Sequence, residues 1–313
     1  MVEMRQAENK VRIEGILAEN DIDYGSYVKN GKTVECIRGT IKVLVEQTIN
    51  GVDVVNEIPV SMFSAKFKND GKPNPAYESI EKIKNEFTSI AAAGGKAGAD
   101  GIRITGAQMG MNEYFNPNGQ LVAFPRIRAS FAQKVSKDKL KPEATFVVEM
   151  VVADQKYKTD ADGIEVEPKA GEPKVYEIKG VIPGYGGTVD VMDFVCSNEN
   201  VIAAVSNYWE NGSTVKAAGR LNFTSTTEEY TEAQGFGEPI VRTRTINVSD
   251  LVITGGSPDP LEGEFAYTNE QISAALAERK NKLEKLKAEA GNKTRKAPAP
   301  ANTVSNVTLD LGF

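Results

Sequence analysis

The sequence predicts a mainly β protein that consists of two tandem five-stranded barrels, a C-terminal helix and a disordered tail. Three observations support this prediction. Short runs of residues alternate between apolar and polar side chains, which is typical of half-buried strands. One helical segment interrupts these runs at a defined point. The same order of segments then recurs later in the chain, as expected for a repeat.

The strands of the first barrel are predicted from alternating runs separated by turn residues. Two Asn-Gly pairs, Asn50-Gly51 and Asn118-Gly119, lie between such runs and predict hairpin turns. The clearest runs are Val11–Leu17, Ile37–Val43, Gly101–Gly106 and Arg126–Phe131.

A helix is predicted from about Pro75 to Ala93, because Ile80, Ile83, Phe87 and Ile90 follow helical spacing there. Gly94-Gly95 would end it. The resulting order is three strands, a helix and two strands. This is the order of an OB-fold barrel, in which the helix lies between strands three and four.

The later part of the chain resembles the first part segment by segment. Each copy ends in an Arg-x-Arg strand, Arg126–Arg128 in the first and Arg242–Arg244 in the second. Two generic β-barrels that share turn chemistry are the alternative to a true repeat. The other matched segments are Glu35–Ile41 with Tyr176–Ile182, Asp53–Val60 with Thr188–Val195, and Ile102–Gly106 with Val215–Gly219.

Five segments are predicted along the chain. Thr268 and Gln271 form a capping box at the start of the C-terminal helix. After residue 291 the composition turns to Ala, Pro, Asn and Thr, which is typical of a disordered linker. The predicted segments are a first OB-like domain at 1–136, a linker at 137–142, a second OB-like domain at 143–258, a helix at 266–291 and a flexible tail at 292–313.

Composition excludes several classes of function. The chain has no histidine, and its two cysteines, Cys36 and Cys196, form no CxxC pair, so we expect buried free thiols and no zinc site. We expect no cofactor, no metal and no enzymatic activity. The net charge is −6, and the acidic excess lies within residues 137–261. No apolar run suits a membrane span or a signal peptide, so a cytoplasmic protein is expected.

The chain resembles the OB-fold single-stranded DNA-binding proteins of tailed bacteriophages. The resemblance rests on the strand-helix-strand order of residues 8–136, the repeat in 143–255 and the terminal Leu-Gly-Phe. It implies binding of single-stranded DNA during replication, recombination or repair, in the host cytoplasm if the gene is carried by a phage. Bacterial proteins of this kind recruit enzymes through an acidic tip that ends in Phe. Here the tip residues are Asp310, Leu311 and Phe313, with one acidic side chain among them.

A sequence-tolerant single-strand binder needs cations for phosphates and aromatic faces for bases. In OB-folds these lie on strands two and three and on the neighbouring loops. Phe63, Phe131 and Trp209 are instead predicted to be core residues. The candidates in the first barrel are Tyr24, Tyr27, Lys29, Lys32, Arg38, Lys42, Lys66, Lys68, Arg103, Tyr114, Phe115, Phe124, Arg126 and Arg128. Secondary candidates in the second barrel are Tyr230, Arg242 and Arg244.

Two other interpretations remain open. A two-barrel scaffold of a virion or assembly complex could bind protein rather than DNA, and the acidic second barrel favours it. An enzyme is disfavoured, because Gly94–Gly98 lacks the spacing of a phosphate-binding loop and no carboxylate pair has metal-ligand spacing around it. The expected partners are single-stranded DNA, replication or recombination proteins at the tip, and further copies of the chain; if the chain does not bind DNA, protein partners of the second barrel and the tail are expected instead.

Overall fold

The computed structural model describes residues 4–49, 51–160, 162–168, 173–232 and 240–296. Within these ranges, eleven strands form one continuous sheet that curls into two barrels. Barrel one contains β1 (Asn9–Lys29), β2 (Lys32–Ile49), β3 (Val52–Ala65), β4 (Gly101–Phe115) and β5 (Leu121–Ala129), followed by the short β6 (Gln133–Val135). Barrel two contains β7 (Glu143–Tyr157), β8 (Tyr176–Pro183), β9 (Val189–Cys196), β10 (Thr214–Glu232) and β11 (Ile240–Gly256).

Both barrels have the strand connectivity of an OB-fold. In barrel one the strands pair in the order β1-β2-β3-β5-β4, and β4 pairs with β1 to close the ring. The contact between β3 and β5 is parallel and all others are antiparallel. Barrel two repeats this pattern, with β9 parallel to β11 at Val195 and Val252 and β10 closing onto β7. The predicted fold is therefore confirmed.

The two barrels share a seam and a core. Residues Asn9–Glu14 of β1 pair antiparallel with Glu143–Val148 of β7. A second link is the buried Asn56 side chain of β3, whose Oδ1 accepts a hydrogen bond of 2.8 Å from the Phe223 amide of β10. Apolar side chains of both barrels pack into one continuous cluster. The barrels are therefore fixed to each other by backbone pairing and by packing.

Two glycines at matched positions support the sequence repeat. A Cβ on Gly39 in β2 would lie 2.0 Å from the carbonyl oxygen of Asp21, and one on Gly180 in β8 would lie 2.4 Å from Met150 Sδ. Neither position can hold a larger residue without moving its neighbours. The second strand of each barrel therefore has the same close approach at the matched point of the repeat, to the first strand in barrel one and to the barrel core in barrel two.

The helical segment after β3 is broken into two helices. α1 spans Pro75–Glu86 and α2 spans Ile90–Ala93. The prediction of one helix was wrong at Phe87–Ser89, because side chains satisfy the backbone there, one from Ser89 itself and one from Asp100. Ser89 Oγ accepts from Ala92 N at 3.2 Å, and Asp100 Oδ2 accepts from Thr88 N at 2.7 Å. Gly94 ends α2 in the left-handed region, as predicted.

Several local predictions are confirmed. Gly51 and Gly119 adopt positive φ in their hairpin turns. Cys36 and Cys196 are free and buried, and burial raises the pKa of Cys196 to about 12. α3 (Glu199–Tyr208) occupies the helix position of barrel two and is followed by Trp209. Trp209 is a core residue that donates from Nε1 to the Ser257 carbonyl at 3.0 Å.

The C-terminal helix α4 spans Asn269–Lys296 and packs across both barrels. Thr268 and Gln271 form the predicted capping box through reciprocal hydrogen bonds of 2.9 and 3.2 Å. The predicted end at Gly291 was wrong, since one glycine costs a helix only about 1 kcal/mol. Of the described residues, no helix combines the length and apolarity needed to cross a membrane.

Candidate nucleic-acid interface

An open cleft of about 1200 Å³ crosses the outer face of barrel one. Its lining comes from all five strands of barrel one, including the second and third strands. This is the face that OB-folds use for oligonucleotides and oligosaccharides. Its lining residues that bear on binding are Asp21, Asp23, Tyr24, Arg38, Thr40, Ser61, Phe63, Gln108, Arg126, Arg128 and Phe131.

Strand register brings the cleft side chains together in rows. Asp23 of β1, Arg38 of β2 and Phe63 of β3 are direct neighbours across the strands. In the next row Thr40 lies beside Ser61, and Ser61 beside Arg128 of β5. Residues of the opposite parity fill the barrel, so alternation separates the cleft from the core. Those core residues include Ile37, Ile41, Val60, Met62 and Ile127.

Three arginines supply positive charge to the cleft. Within the described residues, Arg38, Arg126 and Arg128 form no ion pair with a carboxylate. Arg126 instead donates to the Ser61 hydroxyl, and to Asn112 Oδ1 at 3.4 Å. Burial, and then the neighbouring Arg128 charge, lower the pKa of Arg126 from its ordinary value. A bound anion would favour the charged form of Arg126 and so oppose both effects on its pKa.

Two phenylalanines of the cleft correct the sequence prediction. Phe63 and Phe131 were expected in the core, but they are 52% and 57% exposed. Phe63 shares the outward parity of Ser61, and Phe131 follows the end of β5, where strand alternation no longer applies. The strand register places Phe63 directly beside Arg38 on the cleft face.

The two predicted tyrosines of β1 flank the cleft. The ring of Tyr27 lies 5.9 Å from that of Phe63 and is tilted by 54°. Tyr24 lines the cleft and is half exposed. Its hydroxyl donates to Glu81 Oε1 at 3.1 Å, and Lys84 Nζ lies 5.5 Å from the ring centroid. These contacts hold Tyr24 at the α1 end of the cleft.

Three predicted cations are held by carboxylates and do not line the cleft. Arg103 donates to both oxygens of buried Glu14, at 2.6 and 2.8 Å. Lys42 bridges Glu19 and Glu57 at 3.0 and 3.1 Å. Lys66 pairs with Glu35 at 2.6 Å. The acidic partners lie on neighbouring strands. The strand register is therefore needed to identify these ion pairs.

The remaining candidates of barrel one lie beyond the cleft. Lys29 and Lys32 face each other at the exposed end of the β1–β2 hairpin, and Lys68 is exposed after β3. Tyr114, Phe115 and Phe124 lie near the tip of the β4–β5 hairpin, where the rings of Tyr114 and Phe124 meet edge to face at 6.4 Å. The structure therefore does not bring these six side chains into the cleft.

Barrel two carries a different set of side chains at the matched position. Lys179, beside Gly180, corresponds to Arg38, and its β9 neighbour is Asp193 instead of a phenylalanine. Lys179 Nζ lies 3.7 Å from Asp193 Oδ1. The cavity there is about 240 Å³ and is also lined by Asp154 and Glu177. Carboxylates thus replace the aromatic surface and neutralise the cation.

The secondary candidates lie on the outer part of the β10–β11 hairpin. Tyr230 faces Arg242, and Arg244 pairs with Glu228 at 3.1 Å. The sequence match of these arginines to Arg126 and Arg128 gave them the wrong position in the barrel. β10 and β11 are longer than β4 and β5, so the two arginines lie farther out on the hairpin. Arg242 and Arg244 do not line the cavity of barrel two. The tip residues Asp310, Leu311 and Phe313 lie outside the described residues.

One protein-family model matches most of the chain. Residues 7–289 match the family model described as YorF. The chain belongs to the YorF family. No curated protein matches this YorF-family chain.

Two solved structures share its fold. The wild-type single-stranded DNA binding protein of Thermus aquaticus has a TM-score of 0.50 and 9% identity, covering 83% of this chain and 96% of its own. A deletion mutant of that protein has a TM-score of 0.50 and 11% identity, covering 83% and 98%. At these identities the likeness shows the two-barrel fold alone.

Proposed function

We propose that this chain binds single-stranded DNA, without strong sequence preference and without catalysis, in the cleft of barrel one. The observation that carries the proposal is the meeting, on one OB-fold face, of two exposed phenylalanines with three arginines that pair with no carboxylate of the described residues. The arginines would contact phosphates, and Phe63 and Phe131 would stack on bases. Stacking needs bases with free faces, which a single strand offers and a duplex does not.

The proposal is tested by fluorescence anisotropy with labelled oligo-dT over a range of salt concentrations. Duplex DNA and single-stranded RNA serve as competitors. Arg128→Ala should reduce the salt slope of log affinity by about 0.7, the value for one lost phosphate contact on a single strand. Phe63→Ala should cost about 1–3 kcal/mol of binding free energy.

Lys174→Ala is the control, because Lys174 is an exposed cation of barrel two that already pairs with Glu165. It should leave affinity unchanged. Absence of oligo-dT binding at low salt would refute the proposal. Equal binding of duplex and single strands would refute the stacking part of it.

We further propose that DNA binding protects single strands during replication, recombination or repair, and that the tip recruits partner enzymes. The sequence supports the second point through Asp310, Leu311 and Phe313. The division into domains at 1–136 and 143–258, a phage origin and self-association belong to the same proposal. Deleting residues 308–313 should abolish partner binding and leave oligo-dT affinity unchanged.

A further inference from the structure

A second groove, of about 600 Å³, lies between α4 and the two barrels. We call it the α4 groove. One wall is formed by Met111–Glu113 of β4, another by Gly187–Asp190 at the start of β9, and the third by Ala275–Leu286 of α4. Arg128 lines both the α4 groove and the cleft of barrel one. The two depressions therefore adjoin each other at this side chain.

Two lysines of α4 make the groove a continuation of the cationic surface. Lys282 and Lys285 line it, are exposed, and form no ion pair with any residue that the structure describes. They lie one turn of helix apart on the side that faces the groove. A polyanion that leaves the cleft past Arg128 would meet these two cations next.

The carboxylates of the α4 groove are mostly engaged by the protein itself. Arg279 forms an ion pair with Glu113, and Asp190 Oδ1 accepts from the Met111 amide at 3.1 Å. Glu278 is the remaining acidic side chain among the described lining residues. Lys282 and Lys285 are thus two cations without a carboxylate partner among the described residues, against one acidic side chain, Glu278, that the protein does not engage.

Aromatic side chains of β4 lie beside α4 next to the end of the groove. Leu286 lines the α4 groove and also a hollow of about 350 Å³ that contains Tyr114 and Phe115 from the end of β4. Tyr114 is 47% exposed. The path along α4 therefore repeats the combination found in the cleft, with cations first and an accessible aromatic ring beside them.

We propose that a single strand bound in the cleft continues past Arg128 into the α4 groove, where Lys282 and Lys285 contact phosphates and Tyr114 stacks on a base. This inference rests on the proposed function. Its support is the shared Arg128, the free charge of the two lysines and the aromatic end of the path. The binding site then extends from barrel one to the C-terminal helix.

Two oligonucleotide lengths separate this inference from the proposed function. An oligo-dT of about 8 nucleotides fits within the site size of one OB-fold, whereas one of about 24 nucleotides exceeds it. The Lys282→Ala/Lys285→Ala variant should bind the long oligonucleotide with a salt slope reduced by about 0.7 per lysine. Tyr114→Ala should weaken the long complex about fivefold or more. Neither should change binding of the short oligonucleotide.

Two control variants remove side chains of the same kinds that lie outside the groove. Lys280→Ala/Lys287→Ala removes two exposed lysines of α4 that do not line the groove, and Tyr208→Ala removes an exposed tyrosine at the end of α3. Both control variants should bind the short and the long oligonucleotide with the affinity and salt slope of the unmodified protein.

Three results would overturn the inference while leaving the proposed function intact. These are unchanged binding of the long oligonucleotide by the groove variants, equal losses on both lengths, and equal effects of the two double-lysine variants. Failure of the unmodified protein to bind either length would instead refute the proposed function, and the inference with it.

Discussion

Glu14 is a carboxylate with no exposed surface, held between barrel strands by Arg103. The hydrogen bonds from Arg103 lower its pKa, although burial opposes this. Lys141 N also donates to Glu14, at 2.8 Å. A lowered folded-state pKa contributes stability above the unfolded pKa of about 4.3, and the contribution is lost as pH falls through the folded pKa.

Arg103→Ala should therefore lower the free energy of unfolding at neutral pH by about 3 kcal/mol, because it leaves a buried carboxylate without its main partner. The deficit should shrink as the pH falls below about 4. Urea unfolding at several pH values measures both effects. Lys82→Ala, which removes an exposed pair with Glu86, should cost less than about 0.5 kcal/mol. A deficit that does not depend on pH would contradict this account.

Single residues were predictable from sequence only as far as strand alternation reaches. Alternation placed Arg38, Arg126 and Arg128 on an outer face, and the structure has them in the cleft. It could not reveal that Lys42 is bridged by two carboxylates, since cross-strand partners depend on register. Phe63 was misassigned to the core although its alternation with the buried Val60 and Met62 already places it on the outer face of β3. The register that pairs it with Arg38 is set by tertiary packing.

The capping box of α4 is the element-scale feature with the most direct test. Thr268→Ala removes the side-chain acceptor for the Gln271 amide and should cost about 1 kcal/mol of stability. Thr268→Ser keeps the hydroxyl and should cost less. Thermal unfolding of the two variants measures the difference. Equal losses would mean that packing of Thr268, and not capping, holds the start of α4.

Elements were predictable where local chemistry decides them. The strands, the hairpin glycines and the capping box need only a few neighbouring residues, and the structure contains all of them. The ends of helices were less predictable. The break at Phe87–Ser89 depends on Asp100, which is distant in sequence. The continuation of α4 through Gly291 extends a helix that is packed on β4 and β9.

At the scale of the whole molecule, the shared seam predicts that barrel one does not stand alone. A fragment of residues 1–136 lacks β7 and would expose the edge of β1 at Asn9–Glu14. Unpaired edges associate with other chains. Size-exclusion chromatography with light scattering should find the fragment self-associated, and the full chain should unfold in one transition. A monomeric fragment as stable as the full chain would contradict this.

The repeat and the weaker second barrel were predictable from sequence, but the positions of the arginines in barrel two were not. The order of segments predicted two barrels of equal connectivity, which the structure contains. The longer β10–β11 hairpin shifted Arg242 and Arg244 away from the position that the sequence match assigned to them. The α4 groove has no sequence signal either, because its walls come from three elements far apart in the chain.

The antiparallel pairing of β1 with β7 also has a consequence for symmetry. These are the equivalent first strands of the two barrels, and each pairs with the other at its N-terminal end, Asn9–Glu14 with Glu143–Val148. Self-complementary contact of equivalent surfaces is the geometry of a twofold homodimer. The chain thus holds, within one polypeptide, an arrangement that two separate subunits would form only above their dissociation constant. The two barrels therefore stay paired at any protein concentration. One barrel is free to diverge in sequence while the other keeps the cleft.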